Sequence, residues 1–320
     1  MRLLNINTDP EIRVYQHHAY TLGIILQEEK NYFWLYNNYI QLIYSREGGN
    51  GTFNFNMVFA PYQPVLIRNR LDEKLLNSLN IDRLEYITIA INEGKYVYAT
   101  VDEYYIPNRI FYQKQHYQHD IMILGVDESK KTFTVIGYDD KKQYSTREIS
   151  EVSLRNSNPQ NIELLELNNK YKFRLDIPFI VVQIGQYLNV LPNYVLGDQY
   201  FEDTKFGVEA CYQLLKTYEK SLDELERCEV NQVYLLMEHK KCMYMRMKYI
   251  FEIFELNESK LLEDYDKVIK AANVLVDLVL KYNMCLNPKI VPRIKNLFLD
   301  IIEKDQVIIT ILYNILNKIE

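Results

Sequence analysis

The spacing of apolar residues changes near residue 205, and this change constrains the architecture more than any other feature of the chain. Before it, helical spacing alternates with short runs rich in Val, Ile, Tyr and Thr, which are typical of strands. After it, amphipathic helical spacing is almost continuous, over 207–220, 231–255, 257–281 and 288–319. The sequence therefore predicts an α+β domain over residues 1–205, followed by an all-helical domain over residues 206–320.

Local patterns predict the elements of the first part and the helix starts of the second. Helices are expected over 20–45 and over 72–79, the latter capped by Asp72. Strands are expected over 85–92 and 96–105, and two hairpins over 120–126 with 132–138 and over 164–167 with 171–184. Three polar residues are expected to begin helices in the second part: Ser221, Asn257 and Asn287.

Composition and charge exclude several classes of protein. Hydrophobic residues make up 48% of the chain and charged residues 25%, as in a chain that buries a core. The net charge is −6 and no basic face is evident, so we expect no binding to nucleic acid or to an anionic membrane. The first ten residues do not read as a signal peptide, and no apolar run is long enough to cross a bilayer. A cytoplasmic protein without a cofactor is expected.

The residues best suited to chemistry lie between positions 101 and 140. His119 begins an apolar strand, and Asp139 or Asp140 ends the next strand about twenty residues later. In an antiparallel hairpin these two ends are neighbours, so a carboxylate there can hold one imidazole nitrogen and leave the other facing a cleft. Asp139 is the first choice for this role and Asp140 the second. A plain polar turn over 139–142 is the alternative.

The same region contains Asp102-x-Tyr104-Tyr105-x-Pro107, His119-Asp120 and Gly125-x-Asp127. With these motifs and the stretch 34–42, the chain resembles the N-terminal domain of the butirosin-biosynthesis H family. These acyltransferases of natural-product clusters have a fold related to papain-like and bacteriocin-processing (C39-type) cysteine peptidases. The resemblance extends over nearly the whole chain, but only about sixty residues, 92–151, are specific.

This resemblance implies a papain-like domain and a site for acyl transfer. In the family, a cysteine at the start of the first helix takes an acyl group from a carrier-protein thioester, and the histidine then helps an amine to attack. The catalytic positions would be His119 and Asp139. The matching helix start carries His17 and His18, with no cysteine. Asp102, Tyr104 and Tyr105 are candidates for a substrate groove, although strand tyrosines are also common in ordinary packing.

Three alternatives would supply the missing nucleophile or replace its chemistry. One of the cysteines at 211, 228, 242 and 285 would have to reach the cleft, although buried thiols on helices are the simpler interpretation. Thr21 or Ser45 would have to act as a hydroxyl nucleophile. His17 or His18 would have to join His116 and His119 in a metal site.

Two functions remain open from the sequence. The first is a family member that has lost its thiol and acts by binding an acyl or peptidyl carrier protein or another biosynthetic partner. The second is an acyltransferase or amide-bond enzyme with an unconventional nucleophile. The first is favoured, because neither histidine at the helix start can do the work of a thiol.

Overall fold

A computed structural model describes residues 1–47, 50–56, 65–193 and 203–319. The chain divides into two compact units, one of residues 1–31 and 62–172 and the other of residues 32–61 and 173–320. The boundary expected at residue 205 does not coincide with this division, because residues 32–61 and 173–205 belong with the C-terminal helices. The fold is mixed α+β with a helical C-terminal region.

The elements follow one another in this order along the described residues: β1 Arg2–Leu3, α1 Gln16–Ile25, α2 Tyr32–Asn37, β2 Leu42–Glu47, β3 Asn50–Phe55, β4 Leu66–Arg70, α3 Glu73–Ser78, α4 Arg83–Asn92, β5 Tyr96–Asp102, β6 Gln118–Asp127, β7 Thr132–Tyr138, β8 Tyr144–Ser150, α5 Glu151–Asn156, β9 Gln160–Leu167, α6 Ile177–Tyr187, β10 Lys205–Phe206, α7 Gly207–Asp223, α8 Val230–Ile253, α9 Ser259–Cys285 and α10 Val291–Leu316. Short 3-10 turns cover Glu29–Asn31, Glu103–Tyr105 and Pro288–Ile290.

An antiparallel sheet forms the first unit. Its strands run in the order β4-β9-β5-β6-β7-β8, and β1 pairs with β6. The predicted hairpin of β6 and β7 is confirmed. Apolar side chains of α4, α5 and the central strands form one buried core: Ile87, Ile91, Val97, Val101, Ile121, Ile123, Phe133, Val135, Ile149, Leu154 and Ile162. This core fixes the two strands, β5 and β6, whose ends carry the candidate site.

Three sequence-based assignments are wrong in the first 205 residues. The stretch 85–92 belongs to helix α4, because Asp82 caps it by accepting from the N–H groups of Leu84 and Glu85. The stretch 171–184 does not form a hairpin strand, since Asp176 caps helix α6 and Pro178 lies in its first turn. The expected helix over 20–45 ends at α2, and its last residues form strand β2.

We expect Asp82→Ala to lower the free energy of unfolding by about 1 kcal/mol, the usual cost of losing an N-cap. Its carboxylate accepts two backbone N–H bonds at the start of α4, at 2.8 and 3.0 Å. Asp82→Asn keeps an acceptor for these bonds and serves as the matched variant. Urea unfolding of both variants measures the difference, and equal losses would contradict a capping role.

The second unit combines a small sheet with helices. Its three strands run in the order β10-β2-β3, and residues 48 and 49, within the turn predicted from the sequence, lie outside the described residues. The four long helices expected after residue 205 are confirmed as α7 to α10. The helix start expected at Ser221 is wrong, because α7 continues to Asp223. Asn287 does cap a 3-10 turn, since its side chain accepts from the N–H of Lys289.

A buried ion pair joins helices of the second unit. Lys240 Nζ lies 2.9 Å from Asp305 Oδ2, and each side chain is 1% exposed. Two tyrosine hydroxyls donate to the same carboxylate, Tyr187 and Tyr265, each at 2.6 Å. Burial, with the neighbouring Asp305, raises the pKa of both tyrosines, so both remain protonated donors. One carboxylate therefore ties α6, α8, α9 and α10 together.

A buried arginine closes the carboxyl end of α2. Arg246 of α8 donates to the carbonyl oxygens of Tyr36 and Asn38, each at 2.6 Å, and to Leu35 at 3.2 Å. Burial lowers the pKa of this guanidinium to about 10. A cation is favourable at the negative end of a helix dipole, and these carbonyls lack helical partners. Arg246 therefore supplies hydrogen-bond donors to the carbonyl groups at the end of α2.

Candidate functional site

The candidate site lies where β5 ends and β6 begins. In their antiparallel register Val101 pairs with His119 and Asp102 with Gln118. This register brings two successive carboxylates, Asp102 and Glu103, beside two histidines: His119 in β6 and His116 in the segment just before it. Each carboxylate binds one imidazole, so the strand ends carry two histidine–carboxylate pairs.

Glu103 holds the histidine predicted to be catalytic. His119 Nδ1 lies 2.8 Å from Glu103 Oε1, with the histidine side chain 41% exposed and the glutamate 3% exposed. An ionised carboxylate only accepts hydrogen bonds, so Nδ1 carries the proton and Nε2 carries the lone pair. Glu103 Oε2 is buried and has no hydrogen-bond partner among the described residues. Glu103, and not Asp139, therefore holds the position of the orienting carboxylate beside His119.

The carboxylate predicted to orient His119, Asp139, belongs instead to a polar turn. Asp139 Oδ1 accepts from the backbone N–H groups of Lys141 at 2.9 Å and Gln143 at 2.7 Å. The backbone N–H of Asp140 donates to Asn108 O at 2.9 Å. The pairing of His119 with Asp139 is therefore corrected, because the turn's own N–H groups occupy that carboxylate and Glu103 occupies Nδ1.

Arg109 is the buried cation of the site. Its Nε lies 2.9 Å from Glu103 Oε1, and both side chains are 3% exposed. It also donates to Tyr138 O at 2.6 Å and Asp120 O at 2.7 Å, which belong to two neighbouring strands. Arg109 therefore compensates the Glu103 charge and ties its loop to β6 and β7.

Gln16 is the residue of the helix start that contacts His119. Its Oε1 accepts from Arg109 Nη1 and from the Tyr138 backbone N–H, both at 3.1 Å. These two groups can only donate, so the side-chain atom they meet must be the carbonyl oxygen. The amide nitrogen then faces the imidazole and lies 3.4 Å from both ring nitrogens. The helix-start side chain that contacts His119 is therefore the amide of Gln16, whereas the resemblance implies the nucleophile at His17 or His18.

Two further features support this arrangement of Gln16. The Tyr20 hydroxyl donates to Gln16 Oε1 at 3.0 Å, and burial raises the pKa of Tyr20, so the phenol remains a donor. Gly137 lies against the same group. A Cβ at position 137 would lie 2.7 Å from Arg109 Nη1 and 2.9 Å from Gln16 Oε1, so only glycine permits this close approach.

The predicted nucleophile positions, His17 and His18, follow Gln16 in α1. Their rings lie 4.2 Å apart, with His18 buried and His17 exposed. The Thr21 hydroxyl donates to the carbonyls of His17 at 2.9 Å and His18 at 3.1 Å, as is common within helices. Ser45 lies in β2, in the second unit.

The cysteine and metal alternatives find little support in the described residues. Cys211, Cys228 and Cys242 are buried and Cys285 is exposed. Burial raises the pKa of Cys211 to about 11 and that of Cys228 to about 12, which disfavours the reactive thiolate. The described residues contain no cluster of three or more histidine, cysteine or carboxylate side chains that could hold a metal ion.

The groove candidates Asp102, Tyr104 and Tyr105 lie together beside His116. Asp102 Oδ2 binds His116 Nδ1 at 2.6 Å, and the His116 ring stacks on Tyr104 with centroids 4.4 Å apart. The Tyr105 ring lies 5.9 Å from the same imidazole. His116 is 65% exposed, so this aromatic group reaches the surface of the unit.

Asp102 also makes the site sensitive to acid. Burial acts to raise its pKa, but hydrogen bonds from His116 and from the backbone N–H groups of Tyr104 and Tyr117 outweigh burial and lower it. Its contribution to stability is therefore present above the unfolded-state pKa, about 3.9, and is lost as pH falls through the folded-state value.

We expect Asp102→Asn to be destabilising at pH 7 and progressively less so as pH falls below about 4. Asparagine keeps an oxygen for the two backbone N–H groups, so the comparison isolates the carboxylate charge. Denaturant unfolding of both proteins at pH 7, 5 and 3 measures this difference. A difference that stays constant over this range would contradict the role given to the ionised carboxylate.

Comparison with known proteins gives no family assignment. No family model matches the chain, and a search of curated proteins finds no significant relative. Among the described residues, no helix is long and apolar enough to cross a membrane.

Proposed function

We propose that this chain is a thiol-free member of the butirosin-biosynthesis H family that acts in natural-product biosynthesis by binding. Its partner would be an acyl or peptidyl carrier protein or another biosynthetic protein of the cytoplasm. The papain-like identity of the first 205 residues is part of this proposal. The observation that carries it is the contact of Gln16 with His119.

This contact combines a preserved base with a missing nucleophile. His119 is partly exposed and is oriented by a buried carboxylate, as a general base needs to be. The group opposite it at the helix start is an amide, which cannot form a labile acyl-enzyme. An arrangement of this kind supports recognition of a partner rather than covalent transfer.

The aromatic surface beside the site supports the same proposal. The exposed His116 of the second histidine–carboxylate pair stacks on Tyr104, and Tyr105 meets Tyr104 edge to face. Aromatic side chains give large contact areas at low cost in conformational entropy, so they are common in binding surfaces. The unit therefore offers a binding surface beside the strand end that carries His119.

A panel of acylated carrier proteins tests this proposal. We expect a complex in size-exclusion chromatography, no acyl mass added to the chain, and no turnover of the thioester. Replacing Tyr104 by Ala removes the ring that stacks on His116 and is expected to weaken the complex. Failure of every carrier to bind, with or without an acyl group, would contradict the proposed partner.

An active acyltransferase is the second candidate, favoured by the intact Glu103–His119 pair. Such an enzyme would move an acyl group from a carrier-protein thioester to an amine, with His119 as general base. Release of free carrier thiol together with an amide product, lost in His119→Ala, would establish this candidate and reject binding alone.

A further inference from the structure

The Nε2 atom of His119 is available to accept a hydrogen bond from a ligand. Glu103 fixes the proton on Nδ1, so Nε2 carries a lone pair on a side chain that is 41% exposed. The nearest side-chain donor is the Gln16 amide, whose nitrogen is 3.4 Å away, a long and weak contact. The site therefore suits a ligand that carries an acidic N–H, O–H or S–H group.

The carboxylate that faces His119 is buried and has one oxygen free of partners in the described part of the chain. Glu103 is buried, and its Oε2 has no hydrogen-bond partner among the described residues, so Arg109 and His119 share only its Oε1. Arg109 is the cation beside the same carboxylate oxygen. Because Glu103 accepts from Nδ1, that nitrogen remains a donor while a ligand occupies Nε2.

A thiol fits this environment better than other neutral donors. Free thiols titrate near 8.5, phenols near 10 and alcohols far higher, so the S–H proton is the one most readily passed to an imidazole. Sulfur also packs well against aromatic edges. The half-exposed ring of Tyr117 lies 5.6 Å from the His119 ring, and Phe111 lies 4.6 Å from Tyr117.

We propose that His119 binds a thiol delivered by a partner, which completes in trans the cysteine–histidine pair that the chain itself lacks. This inference rests on the proposed function for the identity of the partner, but not for the chemistry of the site. The proton moves from sulfur to Nε2, giving a thiolate beside an imidazolium, and no covalent bond to the chain forms. The thiol comes either from a small molecule or from the arm of a carrier protein.

Two matched pairs of ligands test this inference. The first is pantetheine against S-methyl pantetheine, and the second is a carrier protein whose pantetheine arm ends in a free thiol against the same protein S-methylated. A phosphine reductant keeps the exposed Cys285 from forming mixed disulfides. Because the chain has only five histidines, long-range ¹H–¹⁵N spectra report on each imidazole, and His119→Gln assigns the signal.

We expect the free thiol, but not the capped form, to move the His119 Nε2 signal from its lone-pair to its protonated position. The free-thiol form should bind about tenfold or more tightly than the capped form, as expected for one charge-assisted hydrogen bond. His119→Gln should abolish this preference. Equal binding of both forms with an unmoved Nε2 signal would overturn the inference.

The outcomes also separate this inference from the proposed function. If the carrier binds equally well with and without its free thiol, the proposed partner stands and the thiol site fails. If pantetheine moves the Nε2 signal while no carrier protein binds, the thiol site stands and the proposed partner fails. If neither ligand binds, both proposals are rejected.

Discussion

Asp305→Asn is expected to lower the free energy of unfolding of the helical region by about 3–5 kcal/mol, the usual cost of removing one partner of a buried ion pair. Lys240 would remain buried without an opposite charge, since both side chains are 1% exposed. The two tyrosine hydroxyls would also lose an ionised acceptor. Chemical denaturation followed by circular dichroism measures the loss.

Asp300→Asn is the matched control, because Asp300 lies on the same helix, α10, and pairs at the surface with Lys304. Exposed pairs of this kind contribute about 0–1 kcal/mol, so the control should change stability little. Similar losses in the two variants would show that the buried network does not hold the helices. A double variant, Lys240→Met with Asp305→Leu, is expected to recover much of the loss.

Glu103→Gln is expected to cost about 3 kcal/mol and to release the His119 ring. The variant keeps the shape of the side chain but leaves Arg109, 3% exposed, without its carboxylate. It also replaces the carboxylate, which can only accept, by an amide that can present either its oxygen or its NH2 group to the ring, so the proton is no longer fixed on His119 Nδ1. Stability should therefore fall, and the ring nitrogens of His119 should exchange their tautomer in ¹⁵N spectra.

Glu148→Gln on strand β8 is the control for this change, since Glu148 is exposed and distant in sequence from the site. We expect it to leave both stability and the His119 spectrum unchanged. A Glu103→Gln protein with wild-type stability and an unaltered His119 signal would show that Glu103 does not orient the histidine. Asp139→Asn should leave the His119 signal unchanged, because that carboxylate caps its own turn.

Periodicity predicted the helical region and the β6–β7 hairpin because both depend on local burial patterns. It failed at α4 and α6, where runs of β-branched residues suggested strands. At both places an aspartate cap at the helix start outweighed strand propensity, and Asp82 and Asp176 were visible in the sequence. At both places the capping aspartate is a stronger local signal than the β-branched residues that follow it.

The site was predicted in part. His119 and the groove candidates were identified from the sequence, whereas Glu103, Arg109 and Gln16 were not. Glu103 follows Asp102 directly, and the 3-10 turn that begins there turns successive carboxylates toward different histidines. Arg109 comes from an irregular loop, and neither spacing nor periodicity places such a residue. Side-chain pairing across a loop depends on tertiary geometry that a single sequence does not contain.

The central claim is that the start of α1 faces His119 through Gln16, so that a thiol at position 16 would lie beside the imidazole. Gln16→Cys would place a thiol in the first turn of a helix, where backbone N–H groups stabilise a thiolate. His17→Cys, one residue further on and exposed, is the matched control. Thermal unfolding checks that each variant remains folded.

Intact-mass analysis after incubation with an acylated carrier protein is the most direct measurement. We expect an acyl adduct on Gln16→Cys, its loss when His119→Ala is added, and little or no adduct on His17→Cys or on the wild-type chain. An acyl group found on the wild-type chain would contradict the claim that the site lacks a nucleophile. Equal adducts on the two cysteine variants would contradict the placement of Gln16 opposite His119.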